Sequence, residues 1–282
     1  MRPSLPALLV GHWQLSPALL LQAAAFGGLY SWGVRRLRGR WPVRRTISFL
    51  AGIAVGLVAL QSGVDAYSER LLSVHMVQHM LLLLVAPALL LYGQPVLLAL
   101  RALPRASRGA LARGLGRARP LTSPLLCLIV FCGVVTVTHL PSVYDAALGD
   151  RAVHAIEHAA YLLAGLLLWG PRVDGDPAPV RRLGGLGRLG YLIAAMVPMA
   201  IVGAYLNRHP ALVYASYAAP ARAMGTSALV DQAAAGAIMW VVGDVIMVAV
   251  GLWSTIAALV AEERRQRVRD AKAATALARE AR

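Results

Sequence analysis

Long apolar runs alternate with short, arginine-rich polar segments along nearly the whole chain. A helix needs about 20 mostly apolar residues to cross a bilayer. Seven stretches reach that length, at roughly 15–34, 46–64, 71–100, 121–140, 152–170, 187–206 and 228–259. The pattern predicts an all-α polytopic membrane protein, a seven-transmembrane-helix bundle over residues 1–260 followed by a basic cytoplasmic tail at 261–282. The third and seventh stretches are longer than a span requires. The third is expected to break or kink near Pro87 or at Gly93-Gln94-Pro95, because proline removes a backbone donor and crowds the preceding turn. The seventh is expected to continue into the polar segment as a helix.

Composition supports the membrane class: 58% of the residues are hydrophobic and 15% are charged, against about a quarter charged in an ordinary soluble domain. The chain holds 28 Lys+Arg and 13 Asp+Glu, for a formal net charge of +15. Taken alone, that excess could suggest nucleic acid. Its distribution says otherwise, since 23 of the basic residues fall in the first, third and fifth loops and the tail. The positive-inside rule then places the N-terminus outside and the C-terminus in the cytoplasm, which requires an odd number of spans. Anionic lipids at the cytoplasmic face are the expected partner of these arginines, and no nucleic acid is expected. Met1–Val10 carries one arginine and two prolines and is not expected to be a cleaved leader. Cys127 and Cys132 are five apart, on different helix faces, and read as packing residues.

The candidate chemistry lies at the other end of the helices. All seven histidines fall at the extracytoplasmic ends of the predicted spans. His75 and His79 open the third stretch, and His154 and His158 open the fifth. Both pairs have i, i+4 spacing, which stacks two imidazoles on one helix face and suits them to share one metal ion. Polar groups inside a membrane segment are costly and usually mark a functional pathway. Glu157 lies between the second pair as a ligand or as an acceptor fixing an imidazole tautomer. His139, which ends the fourth stretch, and Asp231, which opens the seventh, are further candidates. Met76 and Met80 repeat the i, i+4 spacing beside the first pair, and thioethers select Cu(I). The expected metal site is therefore His75, His79, His154 and His158, completed from Met76, Met80, His139, Glu157 and Asp231. Copper is favoured, as Cu(I), with zinc as the alternative. His12 and His209 read as surface residues. Asp244 lies too deep for this site and reads as a bundle contact.

Several motifs carry a family resemblance. His75-Met76-Val77-Gln78-His79-Met80, with Ala86-Pro87 and Gly93-Gln94-Pro95, resembles the signature of the CtaG family of cytochrome c oxidase assembly proteins. So do His139-Leu140-Pro141, His154, Glu157-His158, Trp169-Gly170-Pro171, and Asp231-Gln232 with Gly236 and Met239-Trp240. The likeness covers roughly 10–260, although Ala235-Gly236 stands where a glycine pair is expected, and Trp240–Asp244 lacks an expected proline. The resemblance implies a non-enzymatic assembly factor for a haem–copper oxidase, multi-pass in the bacterial inner (plasma) membrane. It implies cytochrome c oxidase subunits as partners, with an extracytoplasmic copper chaperone as a donor. The competing reading is a zinc-dependent seven-span intramembrane hydrolase assembled from Ser73, His75, His79, His158 and Asp231. A b-type cytochrome fits less well, because histidines one turn apart suit a small ion better than haem.

Overall fold

The computed structural model describes residues 11–172, 183 and 185–280, and every regular element among them is a helix. In chain order these are α1 (Pro17–Arg36), α2 (Val43–Gln61), α3 (Gly63–Ser68) and α4 (Leu72–Met80). A π-helical turn, Leu81–Val85, joins α4 to α5 (Ala86–Tyr92). Then come α6 (Pro95–Ala102), α7 (Arg105–Ala118), α8 (Pro124–Thr138), α9 (Pro141–Gly149) and α10 (Arg151–Trp169). The chain continues through α11 (Gly185–Arg208), α12 (Ala218–Ala223) and α13 (Ala228–Ala237), and a second π-helical turn, Ile238–Val242, leads into α14 (Gly243–Glu280).

Helices occupy all seven apolar stretches. Five are long and apolar enough to cross a membrane, namely Val43–Gln61, Leu72–Ala102, Arg151–Trp169, Gly187–Arg208 and Ala228–Trp253. The count becomes six if Arg105–Thr122 and Pro124–Thr138, bent by 65°, form one broken span. α1 is long enough, but Gln22, three glycines, Ser31 and Arg35 dilute its hydropathy. α8 alone has 15 residues, about 22 Å of helix and short of the ~30 Å hydrocarbon core. Exposed Leu21, Leu29, Ile129, Ile201 and Leu252 give the bundle an apolar exterior, as a hydrocarbon solvent demands. α14 runs past residue 260 without a break.

The third stretch breaks at both expected places. Pro87 has no N–H to donate to the carbonyl four residues back, and the π-turn before it widens the helix by one residue, with Ala86 N–H bonding Leu81 O. The freed carbonyls meet α10: Trp169 Nε1 donates to Leu84 O at 3.0 Å, and Leu83 O faces Gly165. A Cβ on Gly165 would lie 2.1 Å from Leu83 O, so only glycine permits this approach. Further on, Gln94 takes the left-handed conformation with φ 50°, turning the chain into α6. A second close crossing joins α11 to α13, where a Cβ on Gly236 would stand 2.4 Å from Gly203 O. One glycine from each helix achieves this contact.

Two caps set the register of the histidine-bearing helices. Asp150 accepts from Ala152 N and Val153 N, at 2.7 and 3.2 Å, and starts α10 three residues before His154. The N-cap of α4, Leu71, has no capping side chain. Asp231 of α13 supplies one from across the bundle, accepting from the Ser73 hydroxyl and, at 3.3 Å, from Ser73 N–H. Gln78 ties α4 to its other neighbours, donating to Ala59 O at 2.9 Å and to Asp65 Oδ1 at 2.8 Å.

Candidate metal centre

α4 and α10 bring their histidine pairs face to face. The His75 and His79 rings have centroids 4.3 Å apart, those of His154 and His158 4.2 Å, and His75 and His154 face each other across the helices at 5.2 Å. His139, at the C-cap of α8, stands 6.0 Å from His79 by ring centroids. His75 and His79 are fully buried, Glu157 and His139 are buried, and His154 and His158 are half-buried. The opposite face of α10, including Ile156, is exposed.

Hydrogen bonds fix which ring nitrogens are available. Tyr217 Oη donates to Ser68 O at 2.8 Å. Its single proton is thereby committed, so the 2.8 Å contact with His75 Nδ1 has the histidine as donor. Burial pushes the Tyr217 phenol well above its ordinary value, which keeps that proton in place. His75 therefore carries its hydrogen on Nδ1 and aims the Nε2 lone pair at His79 Nε2, 2.8 Å away. The same reasoning applies to His139, whose Nδ1 lies 2.7 Å from Val135 O. A carbonyl only accepts, so His139 Nε2 is the lone-pair nitrogen. An aromatic wall holds the rings: His79 stacks on Tyr161 at 4.1 Å, and Tyr144 lies 5.2 Å from His75 and stacks on Tyr214.

The remaining polar atoms lack protein partners. His79 Nδ1, His139 Nε2, His154 Nε2, His158 Nε2 and both Glu157 oxygens are buried without a hydrogen bond. Glu157 Oε1 sits 3.9 Å from His79 Nε2. Buried polar atoms are nearly always satisfied, and a carboxylate among imidazole lone pairs is costly to bury unless a cation joins them. Two sets bring their ligand atoms within 4.8 Å of one another: His75 with His154 and His158, and His75 with His79 and Glu157. Their nitrogen and oxygen donors fit a transition-metal ion such as copper or zinc.

Not every candidate from the sequence lies in this group. Asp231 engages the start of α4 instead, through Ser73. Met76 and Met80 are buried in the main apolar core, and Met80 Sδ lies against Gly243, 3.3 Å from where a Cβ would stand. His12 contacts Tyr67 Oη at 3.1 Å, and His209 contacts Ala211 O at 2.9 Å. Asp244 belongs to neither ligand set, although its Oδ1 is buried without a partner. Both cysteines are free. Tyr217, Tyr161 and Ser68 also belong to the site, through their contacts with His75, with His79 and with each other. Of these, only Tyr161 left a usable signal in the sequence, three residues after His158 and four after Glu157 on the same helix face.

A family model described as cytochrome c oxidase caa3 assembly factor (Caa3_CtaG) matches residues 28–259. An uncharacterized protein of Mycobacterium bovis is 32% identical over 245 residues, which is 82% of this chain and 36% of that relative. Uncharacterized proteins of Mycobacterium tuberculosis and Mycobacterium leprae match at 32% and 31%, again over 36% of their own length. The chain thus spans little more than a third of the curated relatives it matches. No solved structure matches.

Proposed function

Because the chain belongs to the cytochrome c oxidase caa3 assembly factor family, we propose that its histidine cluster binds copper and passes it to an oxidase during assembly. The observation that carries this reading is the set of buried, partnerless nitrogen and carboxylate atoms of His79, His139, His154, Glu157 and His158 beside His75. Imidazole and carboxylate donors suit copper and zinc alike, and the family directs the choice to copper. Copper here is cargo, so its ligands have to be exchangeable. A cluster completed by half-buried His154 and His158 leaves a side from which an incoming ligand can displace one of them.

In this reading the protein is multi-pass in a bacterial inner membrane, with seven spans, the N-terminus outside and the arginine-rich loops against anionic cytoplasmic lipid. The cluster then faces outward. There it receives copper from an extracytoplasmic chaperone and meets the oxidase subunits. The protein acts as a non-enzymatic factor. Against the hydrolase reading stands Asp231, a member of that reading's zinc set, which caps α4 through Ser73.

The test is oxidase copper in a strain lacking this protein. Oxidase purified from it is expected to retain haem and lack copper, with copper restored by the wild-type gene and not by a His75→Ala, His158→Ala double variant. Normal oxidase copper in the deletion strain would sink the proposal. A finer prediction concerns Tyr217→Phe, which leaves the ring in place and removes the acceptor that fixes the His75 tautomer. Copper affinity in a chelator competition is expected to fall by about 10- to 100-fold, the usual cost of losing a partner that orients a metal ligand.

A further inference from the structure

The two ligand sets share one residue. His75 joins half-buried His154 and His158 in one, and fully buried His79 with buried Glu157 in the other. Whether both can be filled at once depends on how many lone pairs His75 offers. A neutral imidazole has one, and the Ser68–Tyr217–His75 chain places the hydrogen on Nδ1. Only Nε2 remains.

Resting on the copper reading above, we infer that the cluster holds one copper ion in two alternative positions, an outer and an inner, with His75 Nε2 serving as the ligand common to both. The outer position, completed by His154 and His158, is where an ion arrives, because these two residues are half-buried whereas His75, His79 and Glu157 are buried. The inner position, completed by His79 and Glu157, shields it. Passage between them is a ligand exchange without a redox step. The bond to His75 Nε2 persists while those to His154 and His158 break and those to His79 Nε2 and a Glu157 oxygen form. In the ion-free cluster the 2.8 Å contact between His75 Nε2 and His79 Nε2 requires a hydrogen, and it belongs to His79, since His75 holds its own on Nδ1. As the ion moves inward, that proton passes to His79 Nδ1, which has no other partner. The ion is never without a protein ligand, and the positive charge settles beside the buried carboxylate.

The experiment uses the full chain purified in detergent and titrated with Cu(I) against a competing Cu(I) chelator. Bound copper is measured per chain, and chelator capture is followed by stopped flow. Wild type, His79→Ala, His154→Ala and His158→Ala are each expected to bind one copper, and His75→Ala none. His79→Ala confines the ion to the outer position and is expected to surrender it at least about tenfold faster than wild type. His154→Ala is expected to load at least about tenfold more slowly, and as a half-buried position it also guards against a variant that fails to fold. Two coppers per wild-type chain, or capture at equal rates from wild type and His79→Ala, would overturn this inference and leave the copper reading standing. Wild-type protein that binds no copper would overturn both.

Discussion

Replacing His75 by alanine is expected to abolish copper binding, whereas the same change at His12 or His209 leaves it intact. The three residues differ in the geometry around them. His75 belongs to both ligand sets, so its loss leaves two members in each, His154 with His158 and His79 with Glu157. Neither remaining pair comprises three ligands within reach of one ion. The expected fall in affinity therefore exceeds the roughly 10- to 100-fold loss typical of a supporting residue. His12 contacts Tyr67, and His209 contacts Ala211 and the Tyr205 ring, and neither belongs to a ligand set. The fold should survive in His75→Ala, because the caps of α10 and α4 and the close helix crossings do not involve this ring, and helix content by circular dichroism should match wild type. Copper affinity in the same preparation would then report on the site alone. Retained affinity in a folded His75→Ala protein would contradict His75 as the ligand shared by both sets.

The largest packing effect is expected from Gly165→Ala. In an ordinary helix interior this exchange stabilises by about 1 kcal/mol, since glycine is the more flexible in the unfolded chain. At residue 165 the added methyl would sit 2.1 Å from Leu83 O and 2.5 Å from Pro87 Cγ. Both are rigid, the first being backbone and the second a ring. α10 would have to withdraw from the π-turn, weakening the Trp169–Leu84 bond and shifting Glu157 and His158 away from α4. A loss of about 3 kcal/mol, the upper end for overpacked cores, is expected in detergent unfolding, with reduced copper affinity beside it. Gly28→Ala is the matched control, because a Cβ there meets nothing within 4 Å. Equal stability in the two variants would refute the close approach.

Much of this architecture is legible in the chain because a bilayer imposes one simple demand, a run of apolar residues long enough for a helix. Every such run is helical, the third one in pieces. Hydropathy is less decisive where glycine and polar residues dilute a helix, as in α1, or where a bend shortens it, as in α8. The histidine pairs are legible for a local reason, since i, i+4 spacing places two rings on one face regardless of tertiary context. Glu157 follows by position between its neighbours. What the sequence hid depends on partners far along the chain. Asp231 looks like a fifth ligand at the mouth of the seventh stretch, and only the crossing of α13 over α4 makes it a cap for Ser73. Met80 keeps helical step with Met76, yet lies against Gly243. Tyr217 sits in a connection with no periodicity, 142 residues from the histidine whose proton it fixes. Pro87 announces the first π-turn; no residue announces the second.

The most direct measurement is copper X-ray absorption on the detergent-purified chain, with elemental analysis of the same sample and of its His75→Ala variant. One copper per chain is expected, with a first shell of nitrogen and oxygen, the outer-shell scattering of imidazole, and loss of the bound metal in the variant. Absence of copper from the loaded wild-type protein, or a spectrum unchanged by His75→Ala, would contradict a copper site built on His75.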